Sequence, residues 1–194
     1  MTSYIHQAAS HIKQGHIIVY PTDTLYAIGV DAFNESAVHS VFTLKNRPFS
    51  LPLPIAVSSL QQMEMLSTLT KTAKKLVTRL LPGPLTIIAE KKPVLSDLLT
   101  AGNHTIAVRI PNDPLALQLL QICGPLTVTS ANIHHMNTPF SVEDIKKMFP
   151  SSIAFYIDDG QRSGQPSTIV DCTTDRPKIL REGTISLIDI LSEV

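Results

Sequence analysis

The chain is predicted to fold as α/β, a twisted mixed β-sheet flanked by helices. Three observations predict it. Short apolar runs of strand length recur along the chain, helical periodicities separate them, and Gly, Pro, Asn and Ser punctuate the joins. With 194 residues the chain can bury a substantial core, and no stretch reads as an interdomain linker. Residues 1–194 are therefore expected to form a single domain.

The elements follow in order. Ile5, Ala8, Ala9 and Ile12 stand at helical spacing over residues 3–14, and Gly15 can stop that helix. HIIVYP reads as a buried strand ended by Pro21. Residues 35–45 form a helix with Ala37, Val38, Val41 and Leu44 inward and Asn34 as the candidate cap. LPIAV (53–57) is a strand, and 59–81 hold one or two helices closed by Pro82-Gly83-Pro84. LTIIAE (85–90), TIAVRI (105–110) and LTVTSA (126–131) are strands, with a helix over 113–122. Another helix spans 141–149 behind Ser141, whose Asp144 three residues on resembles a capping box. IAFYI, STIVDC and KILRE complete the strands, and 186–192 reads as a short final helix. The expected total is seven or eight strands and five or six helices. Gly-Pro-Leu-Thr occurs twice, at 83–86 and 124–127, as repeated turn punctuation and not as a structural repeat.

Composition narrows the function classes. Hydrophobic residues at 43% and charged residues at 16% suit a globular chain. No apolar run approaches the roughly 18 residues of a membrane span, and the N-terminus has no apolar signal region. A cytoplasmic protein without membrane contact is expected. Cys123 and Cys172 lie far apart in apolar contexts and read as buried reduced thiols. Sixteen basic residues balance sixteen acidic ones, so a general nucleic-acid coat is disfavoured and any anion site must come from local clustering.

Polar residues at strand ends are the candidates for chemistry, because open α/β sheets bind ligands there. Tyr20-Pro21-Thr22-Asp23-Thr24-Leu25-Tyr26 follows a strand with hydroxyls and a carboxylate, and reads equally as a turn. Lys45-Asn46-Arg47-Pro48 puts two cations at a helix end, either solvated there or forming a phosphate clamp. Arg109 shares a strand face with Thr105 and Ala107, so it needs an anionic partner, a carboxylate or a ligand. Thr127-Val128-Thr129-Ser130-Ala131-Asn132 ends a strand in small donors. Ser167-Thr168 and Arg181-Glu182-Gly183 decorate two further strand ends. The polar stretch 158–167, with Gly160 and Gly164, reads as one loop able to order over ligands. His134-His135 lacks partners at metal-ligand spacing, so no metal site from protein side chains is expected.

Taken together and in order, these segments resemble the threonylcarbamoyl-AMP synthase family of YrdC type, in its short form. The resemblance rests on YPTDTLYAIG, on Lys45, Arg47, Pro48, Pro52 and Leu53, and on PGPLT at 82–86. It rests equally on AVRIP at 107–111, SAN at 130–132, STIVD at 167–171 and REG at 181–183. It implies a deep, positively charged cavity and the formation of threonylcarbamoyl-AMP and pyrophosphate from L-threonine, bicarbonate and ATP. The product would serve N6-threonylcarbamoylation of adenosine 37 in tRNA, with threonylcarbamoyltransferase partner proteins downstream and room for weak tRNA binding. Carried over by position, Thr24, Arg109 and Ser167 would hold threonine, while Arg47, Thr105, Ser130, Thr138 and Arg181 would contact ATP. Lys45, Arg47, Ser130 and Asn132 would form the catalytic tetrad, with Mg²⁺ carried by the phosphates. Four departures stand out: Ala27 where glycine is usual, Leu51 where a polar contact is common, Ala56 in place of a histidine, and Ile133-His134-His135 after the SAN motif. A rival reading is an RNA-binding module using the same cavity without catalysis. Zero net charge and few aromatics, with four Tyr, six Phe and no Trp, weigh against it.

Overall fold

A computed structural model describes residues 2–162 and 164–193. Helix α1 (Thr2–Lys13) leads into a hairpin of β1 (Ile18–Tyr20) and β2 (Ala27–Gly29), then α2 (Glu35–Lys45) and β3 (Ile55–Ala56). Next come α3 (Leu60–Leu66), β4 (Ser67–Thr68), α4 (Lys71–Leu80), β5 (Leu85–Lys91), α5 (Asp97–Thr100) and β6 (Thr105–Arg109). After α6 (Pro114–Cys123) follow β7 (Leu126–Thr127), β8 (Thr129–Ser130), α7 (Val142–Met148) and β9 (Phe155–Tyr156). The last elements are β10 (Thr168–Asp171), β11 (Lys178–Arg181) and α8 (Leu187–Ser192).

The strands build two mixed sheets, where one sheet was expected. The smaller has the order β8-β2-β1-β9, and the larger β11-β10-β5-β6-β3-β7 with β4 beside β5. The difference originates in LTVTSA, which is not one continuous strand. The Val128 N–H bonds Pro54 O at 2.9 Å, and the chain changes sheets there. Leu126–Thr127 pairs with β3 in the larger sheet, while Thr129–Ser130 pairs with β2 in the smaller. Tyr20 fastens the junction, donating its buried hydroxyl to Thr127 O at 3.0 Å. Eleven strands and eight helices among the described residues exceed the expected number, because two-residue strands and the one-turn helix α5 leave no periodicity to read.

Local signals explain the helix ends. Every helix from α2 to α8 starts behind a side chain that accepts a first-turn N–H: Asn34, Ser59, Thr70, Ser96, Asp113, Ser141 and Ser186. Each such cap is worth about 1 kcal/mol. The apolar face of α1 (Ile5, Ala8, Ile12) packs with Ala116, Leu119 and Leu120 of α6 and with Ile18 and Tyr20 of β1. Val19, between the last two, points into the main core with Ile28, Val38, Val41, Ile55 and Ile87. The alternation along β1 thus lets a three-residue strand serve two core layers. Leu44 of α2 is only half-buried, whereas Ala37, Val38 and Val41 are buried as expected. Cys172 is buried and Cys123 half-buried, both free, and burial pushes their thiols up to about 12 and about 11. Both are protonated at neutral pH. Among the described residues, no helix is long and apolar enough to cross a membrane.

Candidate active site

A cavity of about 480 Å³ lies between the two sheets. Its floor is one face of the larger sheet, where Ile169 of β10 stands opposite Thr86 of β5 and Ile88 of β5 opposite Ala107 of β6. The β1–β2 turn and β2 supply Thr22, Thr24, Tyr26 and Ala27 from the other side, and β8 supplies Ser130. Arg47, Arg109 and Arg181 all line it, and among the described residues no carboxylate does. An anionic ligand is the natural occupant of such a lining.

Arg109 is the deepest of the three, at 4% exposure. Its Nη2 pairs with Asp23 Oδ1 at 2.6 Å and also donates to Gly83 O at 3.1 Å, while Nη1 donates to Thr24 Oγ1 at 3.1 Å. Burial lowers its pKa, and the nearby Asp23 opposes that. The sequence left its partner open between a carboxylate and a ligand, and the carboxylate is Asp23, whose segment read equally as a candidate for chemistry and as a turn. Arg109 Nε and Asp23 Oδ2 remain buried without a hydrogen-bond partner among the described residues.

Ser167 precedes β10, and its carbonyl accepts both Nε and Nη2 of Arg181, at 3.2 and 2.8 Å. The resemblance put these two residues in different ligand sets, and the fold brings them into direct contact. Gly183 makes that contact possible. A Cβ there would stand 2.1 Å from Pro166 O and 2.7 Å from the Ser167 carbonyl carbon, so only glycine lets the chain cross so closely.

Arg47 follows the left-handed cap Asn46 of α2 and is held by carbonyls alone, Nε to Leu51 O at 3.1 Å and Nη2 to Pro52 O at 2.8 Å. Lys45 points elsewhere. Buried at 2% exposure, its Nζ donates to Ser130 O at 2.5 Å and Asn132 O at 2.6 Å, and burial first, then Arg47, pulls its pKa down to about 7. Asn132 likewise works within its own loop, accepting from Ser130 Oγ at 2.5 Å and donating to Ile133 O and Met136 O. Neither Lys45 nor Asn132 lines the cavity, whereas Ser130 between them does.

Thr24, Arg47, Arg109, Ser130, Thr138, Ser167 and Arg181 therefore share one cavity wall. Thr105 is outside it, at the far end of β6, about 13 Å along the strand from Arg109. Of the departures, Ala27 lies in extended β2, so its methyl enters the lining without backbone strain. Leu51 contributes its carbonyl to Arg47. Ala56 is buried in the second core layer, away from the lining. His135 occupies the left-handed region at φ 67°, a conformation that glycine adopts without cost, and the two histidine rings lie 3.9 Å apart, tilted by 41°. Among the described residues no group of three metal-binding side chains exists. Ser163, within the loop expected over the ligands, lies outside the described residues. Gly164 packs so closely on Thr24 that a Cβ would stand 2.4 Å from Thr24 O. Asp159 and Gly160 are tied to the Tyr26 hydroxyl at 3.0 and 2.7 Å, and Arg162 pairs with buried Asp113 at 3.2 Å.

This geometry can be set beside known proteins. The Sua5/YciO/YrdC family model, described as telomere recombination, matches residues 10–183. A putative threonylcarbamoyl-AMP synthase of Methanocaldococcus jannaschii is 38% identical over 177 residues, covering 91% of this chain and 84% of that protein. The threonylcarbamoyl-AMP synthase of Pyrococcus abyssi is 37% identical over 94% of this chain, which spans 55% of that longer protein. The structure of P. abyssi Sua5 complexed with L-threonine superposes with a TM-score of 0.93 at 35% identity, covering 98% of this chain and 58% of that one. With a family model matched over most of its length and relatives above a third identical, the chain belongs to the Sua5/YciO/YrdC family.

Proposed function

We propose that this chain is an L-threonylcarbamoyladenylate synthase that works as one domain over residues 1–194. It joins L-threonine, bicarbonate and ATP into threonylcarbamoyl-AMP, pyrophosphate and water, in the cytoplasm, for tRNA threonylcarbamoylation by partner proteins. The observation that carries the reading is the shared cavity. Residues drawn from both expected ligand sets line it, with three arginines of which only Arg109 is ion-paired, to Asp23 behind the lining, among the described residues.

The chemistry suits those residue types. Bicarbonate carboxylates the threonine amine, and a carbamate oxygen then attacks the α-phosphorus of ATP as the bond to the β-phosphate oxygen breaks and pyrophosphate leaves. Bicarbonate, ATP and the threonine carbamate are all anionic, so the protein's task is charge compensation and alignment rather than nucleophilic attack. Arg109, Thr24 and Ser167 would hold the threonine. Arg47, Ser130, Thr138 and Arg181 would receive the nucleotide. Lys45 and Asn132 would act one step back, shaping the turn that presents Ser130. Thr105 belongs to this scheme only if the nucleotide extends past the cavity along β6. Mg²⁺ fits as an ion carried by the phosphates, since the lining offers hydroxyls but no carboxylate to hold it directly. When bound, it would offset phosphate charge.

The test is pyrophosphate release from ATP and Mg²⁺, with threonine or bicarbonate omitted in turn. Release that needs both is the expected result. Release indifferent to threonine contradicts the reading, and RNA binding without turnover would favour a binding module instead.

A further inference from the structure

The two Gly-Pro-Leu-Thr turns end in threonines with different surroundings. Thr127, the second, is satisfied by backbone: its hydroxyl donates to Ile28 O at 3.2 Å and accepts from Val30 N at 3.1 Å. Thr86, the first, is also buried, at 4% exposure, yet it lines the cavity, and its side-chain partner is another hydroxyl, Ser167 Oγ at 2.8 Å. The proposed function gives Thr86 no part.

The proton count around Ser167 supplies one. A serine hydroxyl has one proton and two lone pairs. Arg181 Nη2 stands 3.4 Å from Ser167 Oγ, and a guanidinium only donates, so it occupies one lone pair in a long contact. Two arrangements remain for the Thr86–Ser167 bond. If Ser167 donates, the Thr86 proton has no protein acceptor among its described contacts and must be met from the cavity, and Ser167 turns only a lone pair toward an anionic ligand. If Thr86 donates, both Ser167 lone pairs are engaged, and the Ser167 proton turns to an acceptor in the cavity.

We infer that Thr86 is a positioning residue for the threonine end of the cavity, donating to Ser167 so that Ser167 presents its proton to an anionic group of the ligand, such as a carboxylate. Thr86 does not touch the ligand in this role. The sheet makes the arrangement stiff, because Thr86 and Ile169 are paired in register between β5 and β10, two residues beyond Ser167. The inference rests on the proposed function, in that threonine is taken as the ligand beside Ser167.

The experiment is calorimetry with L-threonine and, separately, ATP on five folded proteins: wild type, Thr86→Val, Thr86→Ser, Ser167→Ala and Thr86→Val/Ser167→Ala. Thr86→Val should weaken threonine about three- to tenfold, the loss of one neutral hydrogen bond, and leave ATP within about twofold. Thr86→Ser should restore threonine affinity, a rescue that a purely packing role of the methyl would not give. In the Ser167→Ala background the valine should have no further effect, since the two act as a unit. Thr86→Ala replaces the valine if that variant unfolds. Unchanged threonine affinity in Thr86→Val, additive losses in the double variant, or equal loss of ATP would each overturn the inference while leaving the proposed function standing. A wild type that binds no threonine overturns both.

Discussion

Arg109 and Arg47 line the same cavity and are built in opposite ways. Arg109 is nearly inaccessible, ion-paired to Asp23 and hydrogen-bonded to Thr24 and Gly83. Arg47 is half-buried and, among the described residues, hydrogen-bonds only the carbonyls of Leu51 and Pro52, with no carboxylate to answer its charge. The first is part of the fold and aligns what enters. The second is an uncompensated cation held in a fixed direction, suited to a multiply charged ligand. The lesson is that equal charge at a cavity wall does not mean equal cost of removal.

The largest expected effect follows directly. Arg109→Ala strands the largely covered Asp23 carboxylate, whose buried second oxygen already has no partner among the described residues, and should cost about 3 kcal/mol of stability. Arg47→Ala should cost about 1 kcal/mol or less, because its acceptors can be rehydrated. Denaturant unfolding of both variants checks this. Equal losses would erase the distinction between the two ends.

A pH profile sharpens the comparison on the Arg47 side. Burial lowers the folded pKa of Lys45 to about 7, from the ordinary lysine value of 10.5. Between those values the unfolded chain binds the extra proton, so this group makes stability rise with pH, by up to about 1.4 kcal/mol per pH unit. Below pH 7 both states are protonated and the slope vanishes. Measured against Lys45→Met, whose lost carbonyl contacts do not titrate, the wild type should gain stability from pH 7 to 10. A flat difference would mean that Lys45 keeps its charge in the fold.

The smallest effect lies beside it, in the loop whose His134 N–H bonds Lys45 O at 2.8 Å. His135 holds φ 67° there. His135→Gly should stabilise by about 1 kcal/mol by relieving the left-handed strain, with ATP affinity unchanged. Destabilisation would show that the contact between the two histidine rings matters more than the backbone.

How much of this was legible depends on where the information resides. Helix caps such as Asn34 and Ser141 were readable because the cap and its N–H are near neighbours in sequence. Arg109, Ser130, Ser167 and Arg181 were readable because they sit at strand ends, and Arg47 because it follows a helix end, all within an ordered motif set. Asp23 was not, since its partner is 86 residues away and a turn carboxylate looks the same with or without one. Lys45 read either as a solvated helix-end cation or as part of a phosphate clamp, with the resemblance placing it in the catalytic tetrad, yet it bonds two backbone carbonyls, acceptors that any residue type carries and no sequence pattern marks. The second sheet was hidden for another reason. Val128 interrupts a run of strand-forming residues, and only the Pro54 carbonyl that receives its N–H marks the break.

One measurement tests the central claim most directly: calorimetry of L-threonine and ATP against Arg47→Ala and Arg109→Lys, the lysine keeping a charge opposite Asp23 while losing the planar fork. A charge-assisted hydrogen bond is worth about 1.5–3 kcal/mol, so each loss should weaken its own ligand by about one to two powers of ten. The account predicts that Arg47→Ala loses ATP and keeps threonine, while Arg109→Lys loses threonine and keeps ATP. If both variants lose ATP equally and keep threonine, the cavity is one extended phosphate site, and the division between its two ends is wrong.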